Sequence, residues 1–193
     1  MSRTSTQSRE TRETNIEVKV DLDNSDDPSI NTTVPFFDHM LEQLGKHSGI
    51  GLVVNGEGDT EVDSHHLVED IGIVLGRAFD EALGDRTGIN RYASISLPFD
   101  ETLVRTSIDI SGRGYLDYNV NISGDIEGFP LEVLPEFFRG LVNEAGLTLH
   151  IDEIKSGNKH HLSEAVFKSF ARALRSSVSV VGDDVPSTKG TLS

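Results

Sequence analysis

Apolar residues alternate at Ile16, Val18, Val20 and Leu22, the period-two signature of a strand with one buried face. A turn cluster over residues 24–29, with Pro28, separates it from a second short strand predicted over 30–34. At Pro35 the period changes. Phe36, Phe37, Met40, Leu41 and Leu44 recur at helical spacing until Gly49 stops them. A strand is predicted over 50–54, and then a second helix with Leu67, Ile71, Leu75 and Ala78 on its core face. Gly72 and Gly76 fall on the same side as His65 and Glu69, where small residues admit a close neighbour. Residues 84–88 form a turn. Beyond it, strands are predicted over 91–97, 102–110 and 115–122, with a tight Ser111-Gly112-Arg113-Gly114 loop before the third. A helix over 131–145 ends at Gly146, a strand covers 147–151, and a last helix runs from His160 to about Arg175. Residues 1–10 are Ser, Thr and Arg without periodicity and are expected to be disordered, and residues 186–193 form a polar tail.

The order strand, helix, strand, helix therefore occurs twice. Gly49 lies ten residues after His39, and Gly146 lies ten after Glu136, so His39 and Glu136 occupy equivalent places. Leu52-Val53-Val54-Asn55 is matched to Leu147-Thr148-Leu149-His150. This is an internal duplication with its junction near residues 85–91. The expected class is α+β: two similar halves, each a roughly four-stranded sheet with two helices on one face. The expected division is a tail over 1–10, a first repeat over 11–88, a second over 89–183, and a C-terminal segment over 184–193.

Each repeat carries the same polar motif. Asp63-Ser64-His65-His66-Leu67-Val68-Glu69 and Asn158-Lys159-His160-His161-Leu162-Ser163-Glu164 both read His-His-x-x-Glu behind a helix-capping residue. Residues four apart share a helix face, so His65 lies over Glu69 and His160 over Glu164. Two imidazoles and a carboxylate at a helix start form a ligand set for a divalent metal. Its repetition implies two ions, or one shared. His66 and His161 point about 100° away from their neighbours and can reach the other ion. His39 and Glu136 can complete the two sets. Imidazole and carboxylate without thiolate favour an octahedral Mn, Fe or Co site over a closed structural Zn site. The chain has no Cys, so thiolate ligands and disulfides are excluded.

Charge narrows the partners. Net charge is −15, from 32 acidic against 17 basic residues, which argues against nucleic acid and anionic membranes. Only six of the basic residues are Lys, a balance suited to a high-salt cytoplasm, where screening relieves self-repulsion. There is no run of eighteen apolar residues and no apolar segment at the N-terminus, so a cytoplasmic location is expected.

Phe37-Asp38-His39-Met40-Leu41, the two His-His-x-x-Glu stretches, Gly146-Leu147-Thr148-Leu149-His150-Ile151 and Val185-Pro186-Ser187-Thr188-Lys189-Gly190 together resemble imidazoleglycerol-phosphate dehydratases of histidine biosynthesis, over about residues 10–193. The resemblance implies a lyase that removes water from imidazole glycerol phosphate to give imidazole acetol phosphate. It implies two manganese ions per site and a 24-subunit homo-oligomer built from trimers, with sites at subunit contacts. The metal ligands then fall on His39, His65, His66, Glu69, Glu136, His160, His161 and Glu164, where many relatives have His in place of Glu136. Arg91, Arg113, Lys168, Ser187, Thr188 and Lys189 would hold the phosphate, and His47 the substrate hydroxyls. His39, His65, Glu69 and His160 would also touch substrate. Glu13, just before the first strand, is the expected acid and base, with Glu69 and Glu164 as further catalytic carboxylates. His150 is expected to be structural, and the tail to order when substrate binds.

The chemistry follows from the substrate. A metal pair holding the ring as imidazolate would serve as electron sink, and loss of hydroxide would then give a diazafulvene-like species. Two other readings use the same residues. A dinuclear metallohydrolase would activate water against a phosphate ester, and a non-catalytic metal-binding assembly would need no phosphate pocket.

Overall fold

The structure is a computed structural model that describes residues 2–192; residue 1 of the N-terminal tail and residue 193 of the C-terminal one lie outside the described residues. In chain order the first half comprises β1 (Thr4–Glu10), β2 (Thr14–Asp21), β3 (Ser29–Asn31), α1 (Pro35–Ser48), β4 (Gly51–Gly58) and α2 (His65–Leu83). The second comprises β5 (Tyr92–Phe99), β6 (Thr102–Asp109), β7 (Tyr115–Asn119), the small hairpin β8 (Asp125–Ile126) and β9 (Phe129–Pro130), a 3-10 turn (Leu131–Val133), α3 (Leu134–Ala145), β10 (Thr148–Lys155) and α4 (Lys159–Val178). The two main sheets have the same topology, β1-β2-β4-β3 and β5-β6-β10-β7. In each, the first three strands run antiparallel and the last pair is parallel. The two-half α+β architecture read from the sequence is the architecture observed.

The expected disorder over residues 1–10 is corrected. Thr4 to Glu10 pair with Asp21 to Asn15 along the edge of the first sheet. The strand has almost no apolar content because it is held by other means. Its backbone bonds to β2, Ser5 and Gln7 donate to Glu81 of α2, and the Arg9 guanidinium reaches Asp70 at 3.0 Å. Two smaller expectations also shift. The third strand of the second half stops at Asn119, and the helix expected from 131 begins as the 3-10 turn. The register of the repeat moves by two residues: Leu52 and Val54 match Leu149 and Ile151 as the buried positions of β4 and β10. The loop before α2 is longer than the loop before α4, and that length difference absorbs the offset between strands and helices.

Each sheet carries its two helices on one face, and the helices of the two halves meet between the sheets, α2 against α3 and α1 against α4. The first contact is a backbone contact. A Cβ on Gly72 would sit 2.2 Å from the Phe137 carbonyl oxygen, one on Gly76 2.6 Å from that of Leu141, and one on Gly140 2.8 Å from that of Glu69. In α4, Phe167 and Ala171 stand where α2 has Gly72 and Gly76, and Phe167 packs on α3 of its own half, stacked on Phe137 at 5.5 Å and tilted against Phe138 at 5.2 Å.

Candidate active site

The crossed helix pairing decides which polar residues meet. Asn158 caps α4, its Oδ1 accepting from the His160 backbone N–H at 2.8 Å, and Asp63 does the same for His65 at 2.7 Å. The caps fix the first turns, and the first turns aim the imidazoles. In α4, His160 Nε2 stands 2.9 Å from Glu164 Oε1. On the facing helix α1, His39 Nε2 stands 3.0 Å from the same oxygen. These three donor atoms lie within 4.8 Å of one another. Glu164 is 8% exposed. Burial pushes its carboxyl up, but hydrogen bonds from Lys168, His39 and His160 outweigh this and hold it at about 2. A carboxylate ionised at neutral pH between two imidazole nitrogens fits a divalent cation of the Mn, Fe or Co group.

At the start of α2 the repeated motif brings two donor atoms near each other, but among the described residues no third one closes on them as His39 does in the other half. His65 Nε2 and Glu69 Oε2 are 3.7 Å apart at the start of α2. Gly140 of α3 packs on the Glu69 backbone, which brings α3 against the first turns of α2. Glu136 Oε2 accepts from Arg139 Nε at 2.9 Å. Glu136, then Glu69 more weakly, raise the pKa of that guanidinium, which places Arg139 among the carboxylates. His39 thus completes the α4 set, whereas Glu136 is paired with Arg139 and, among the described residues, closes no three-residue cluster with His65 and Glu69.

His66 and His161 join neither cluster within the protomer. His66 Nδ1 is 3.2 Å from both oxygens of Asp59 and 3.8 Å from Glu13 Oε2. His161 Nδ1 is 3.0 Å from Glu101 Oε2 and 4.0 Å from Asp100 Oδ2. Asp59, Asp100 and Glu101 were not singled out from the sequence. The signal for Glu101 was present in the repeat, since Glu13-Thr14 opens β2 and Glu101-Thr102 opens β6.

The expected phosphate groups divide. Arg91, Arg113, Ser187, Thr188 and Lys189 line one cleft of about 650 Å³, with Tyr92 and Ser111. Arg91 is anchored there by Asp109 at 2.7 Å and donates to the Pro186 carbonyl at 2.8 Å. These bonds tie the tail to the second half of the fold. Arg86 donates to the Leu192 carbonyl at 2.7 Å, and Leu192 is buried. Lys168 lies elsewhere, bonded to Glu164 and 4.0 Å above the Phe99 ring. His47 sits on α1 with Nε2 3.1 Å from Gln43 Oε1. Burial, helped by the charges of Lys168 and Arg172, pushes the pKa of its imidazolium down. His150 lies against Asp117 at 3.2 Å and Tyr115 on the exposed sheet face. Among the described residues, no helix is long and apolar enough to cross a membrane.

Known proteins resemble this chain in sequence and fold. The family model described as Imidazoleglycerol-phosphate dehydratase matches residues 32–174. The imidazoleglycerol-phosphate dehydratases of Endomicrobium trichonymphae and Staphylococcus carnosus are 50% and 52% identical over 186 residues, covering 95% of this chain and 95% and 96% of theirs. The crystal structure of the Staphylococcus aureus enzyme superposes with a TM-score of 0.84 at 39% identity, covering 92% of this chain and 99% of that one. The Pyrococcus furiosus enzyme does so with a TM-score of 0.84 at 37% identity, covering 96% and 99%. With its doubled helix-start clusters, this chain belongs to the imidazoleglycerol-phosphate dehydratase family of hydro-lyases.

Proposed function

We propose that the chain dehydrates imidazole glycerol phosphate to imidazole acetol phosphate in histidine biosynthesis, with two Mn²⁺ ions at each site. The observation that carries this reading is the convergence of His39 and His160 on one ionised carboxylate, Glu164. His65, Glu69 and Glu136 are assigned as its counterpart from the internal repeat. When bound, the ions supply the positive charge that lets the substrate ring shed its N–H proton and accept electron density.

The chain's own residues do the rest. His39, His160 and Glu164 hold one ion, and His65, Glu69 and Glu136 the other. His66 and His161, which reach neither set within a protomer, serve sites on neighbouring copies, so the working unit is a homo-oligomer. Arg91 and Arg113 grip the phosphate as planar donors, with Ser187, Thr188 and Lys189 closing over it. Lys168 reaches the same substrate from its seat on Glu164, and His47 meets a substrate hydroxyl. Glu13, more than half exposed on its turn, takes the C–H proton. The adjacent C–O bond breaks, the departing hydroxyl is protonated to water, and the remaining enol becomes the ketone. Such proton transfer contributes roughly 10²–10⁴-fold.

The test is product analysis of the purified enzyme with Mn²⁺ and imidazole glycerol phosphate. A ketone with no released inorganic phosphate is expected. Free phosphate without ketone would establish the metallohydrolase instead.

A further inference from the structure

Each half of the molecule carries a second imidazole, His66 or His161, with Nδ1 against a carboxylate and Nε2 without a hydrogen-bond partner among the described residues. An imidazole binds a metal through one nitrogen only, and a carboxylate on the other nitrogen fixes the tautomer and the ring's direction. The two halves reach this state with different residues. The turns before β2 and β6 are equivalent, and each presents a glutamate, Glu13 or Glu101, to the second imidazole of its half. In the second half Glu101 makes the contact itself, at 3.0 Å. In the first half Glu13 is held off at 3.8 Å, and Asp59 stands at 3.2 Å in its place. Asp59 is fixed at that spot by its backbone N–H, which donates to the Glu13 carbonyl at 3.1 Å. The second half has no acid at the equivalent position, where Ser156 follows β10 as Asp59 follows β4, and the other carboxylate near His161, Asp100, stands farther off at 4.0 Å.

We infer that Asp59 and Glu101 are positioning residues that hold the Nδ1–H of His66 and His161 and leave each Nε2 to the metal, and that Asp59 thereby releases Glu13, the internal counterpart of Glu101, for proton transfer. The duplication thus yields two matched metal-orienting pairs and a single acid and base. This rests on the proposed function, because it needs His66 and His161 to be ligands.

The test titrates Mn²⁺ into metal-stripped, assembled full-length enzyme, reading the dissociation constant by calorimetry and turnover at saturating Mn²⁺. Glu101→Gln and Asp59→Asn are each expected to weaken Mn²⁺ about 10–100-fold, with turnover recovering at saturation. Glu13→Gln is expected to bind Mn²⁺ as the wild type does and to lose turnover about 100-fold or more. Glu101 also accepts from the Asn158 backbone N–H at 2.9 Å, at the start of α4. The melting temperature of the metal-free protein separates that structural contact from the positioning role, and Asp59→Asn repeats the test without it. Wild-type Mn²⁺ affinity in both variants overturns the inference, as does weakening that only tracks a lowered metal-free melting temperature in both. Loss of turnover in Glu101→Gln at saturating Mn²⁺ makes it a second acid and base, and overturns it too. A wild type that dehydrates without Mn²⁺ dependence counts against the proposed function instead.

Discussion

His39 Nε2 lies 3.0 Å from Glu164 Oε1, joining the first helix of one half to the last helix of the other across 125 residues. Neither half alone brings His39, His160 and Glu164 together. That convergence exists only because α1 packs on α4. Holding the two halves together and assembling these three donor atoms are therefore one packing problem.

The helix contact between the halves is tightest at Gly72. A methyl group there meets the Phe137 carbonyl at 2.2 Å, a backbone atom that no rotamer change can move. Gly72→Ala is expected to destabilise the fold by about 1–3 kcal/mol or more, and to weaken metal binding at the His65 set. Gly182→Ala, where nothing lies within 4 Å, serves as control and should stay within about 0.5 kcal/mol. Urea unfolding of the metal-free proteins measures both.

Much of this was legible in the sequence, for physical reasons. Strands β2 and β4 bury one face, so Ile16, Val18 and Val20 alternate with polar residues. The helix starts announce themselves through Asp63 and Asn158. Strand β1 was invisible because Glu81, Asp70 and β2 hold it through polar bonds, leaving no apolar period to read. The orienting carboxylates Asp59 and Glu101 were missed because they sit on turns, where acidic residues are the default. Only the fold brings them to His66 and His161. The crossing of α1 onto α4 also had no local signal, since His39 and Glu136 look interchangeable along the chain.

Glu164 gives a pH signature in the metal-free protein. Its carboxyl is depressed from 4.5 to about 2, so it contributes stability that is fully present above about 4.5 and is lost as pH falls towards 2. Glu164→Gln removes that contribution. The melting temperature of the wild type should exceed that of the variant at pH 6, and the gap should narrow from pH 5 to pH 3. A constant gap would show that the pairing carries no such linkage.

The phosphate cleft predicts a separable defect. Arg113 is exposed, and among the described residues its guanidinium bonds only to the nearby Ser111 carbonyl, at 3.3 Å, so its removal is expected to leave the fold intact. A lost hydrogen bond to a charged group is worth about 1.5–3 kcal/mol, so Arg113→Ala should raise KM for the phosphorylated substrate roughly 10–100-fold with Mn²⁺ affinity unchanged. Steady-state kinetics beside a metal titration distinguishes this from general damage.

Acidity predicts a response to salt. With a net charge of −15, the chain repels itself at low ionic strength. Raising KCl to about 1 M shortens the screening length to about 3 Å, so the melting temperature should rise between low and molar KCl. No rise would remove the idea of adaptation to a high-salt cytoplasm.

The most direct test strips the enzyme of metal and counts ions against activity as Mn²⁺ is returned. The account predicts negligible turnover of imidazole glycerol phosphate without metal, and full recovery at two Mn²⁺ per chain. Full turnover by the stripped enzyme, or recovery complete at one ion per chain, would contradict it.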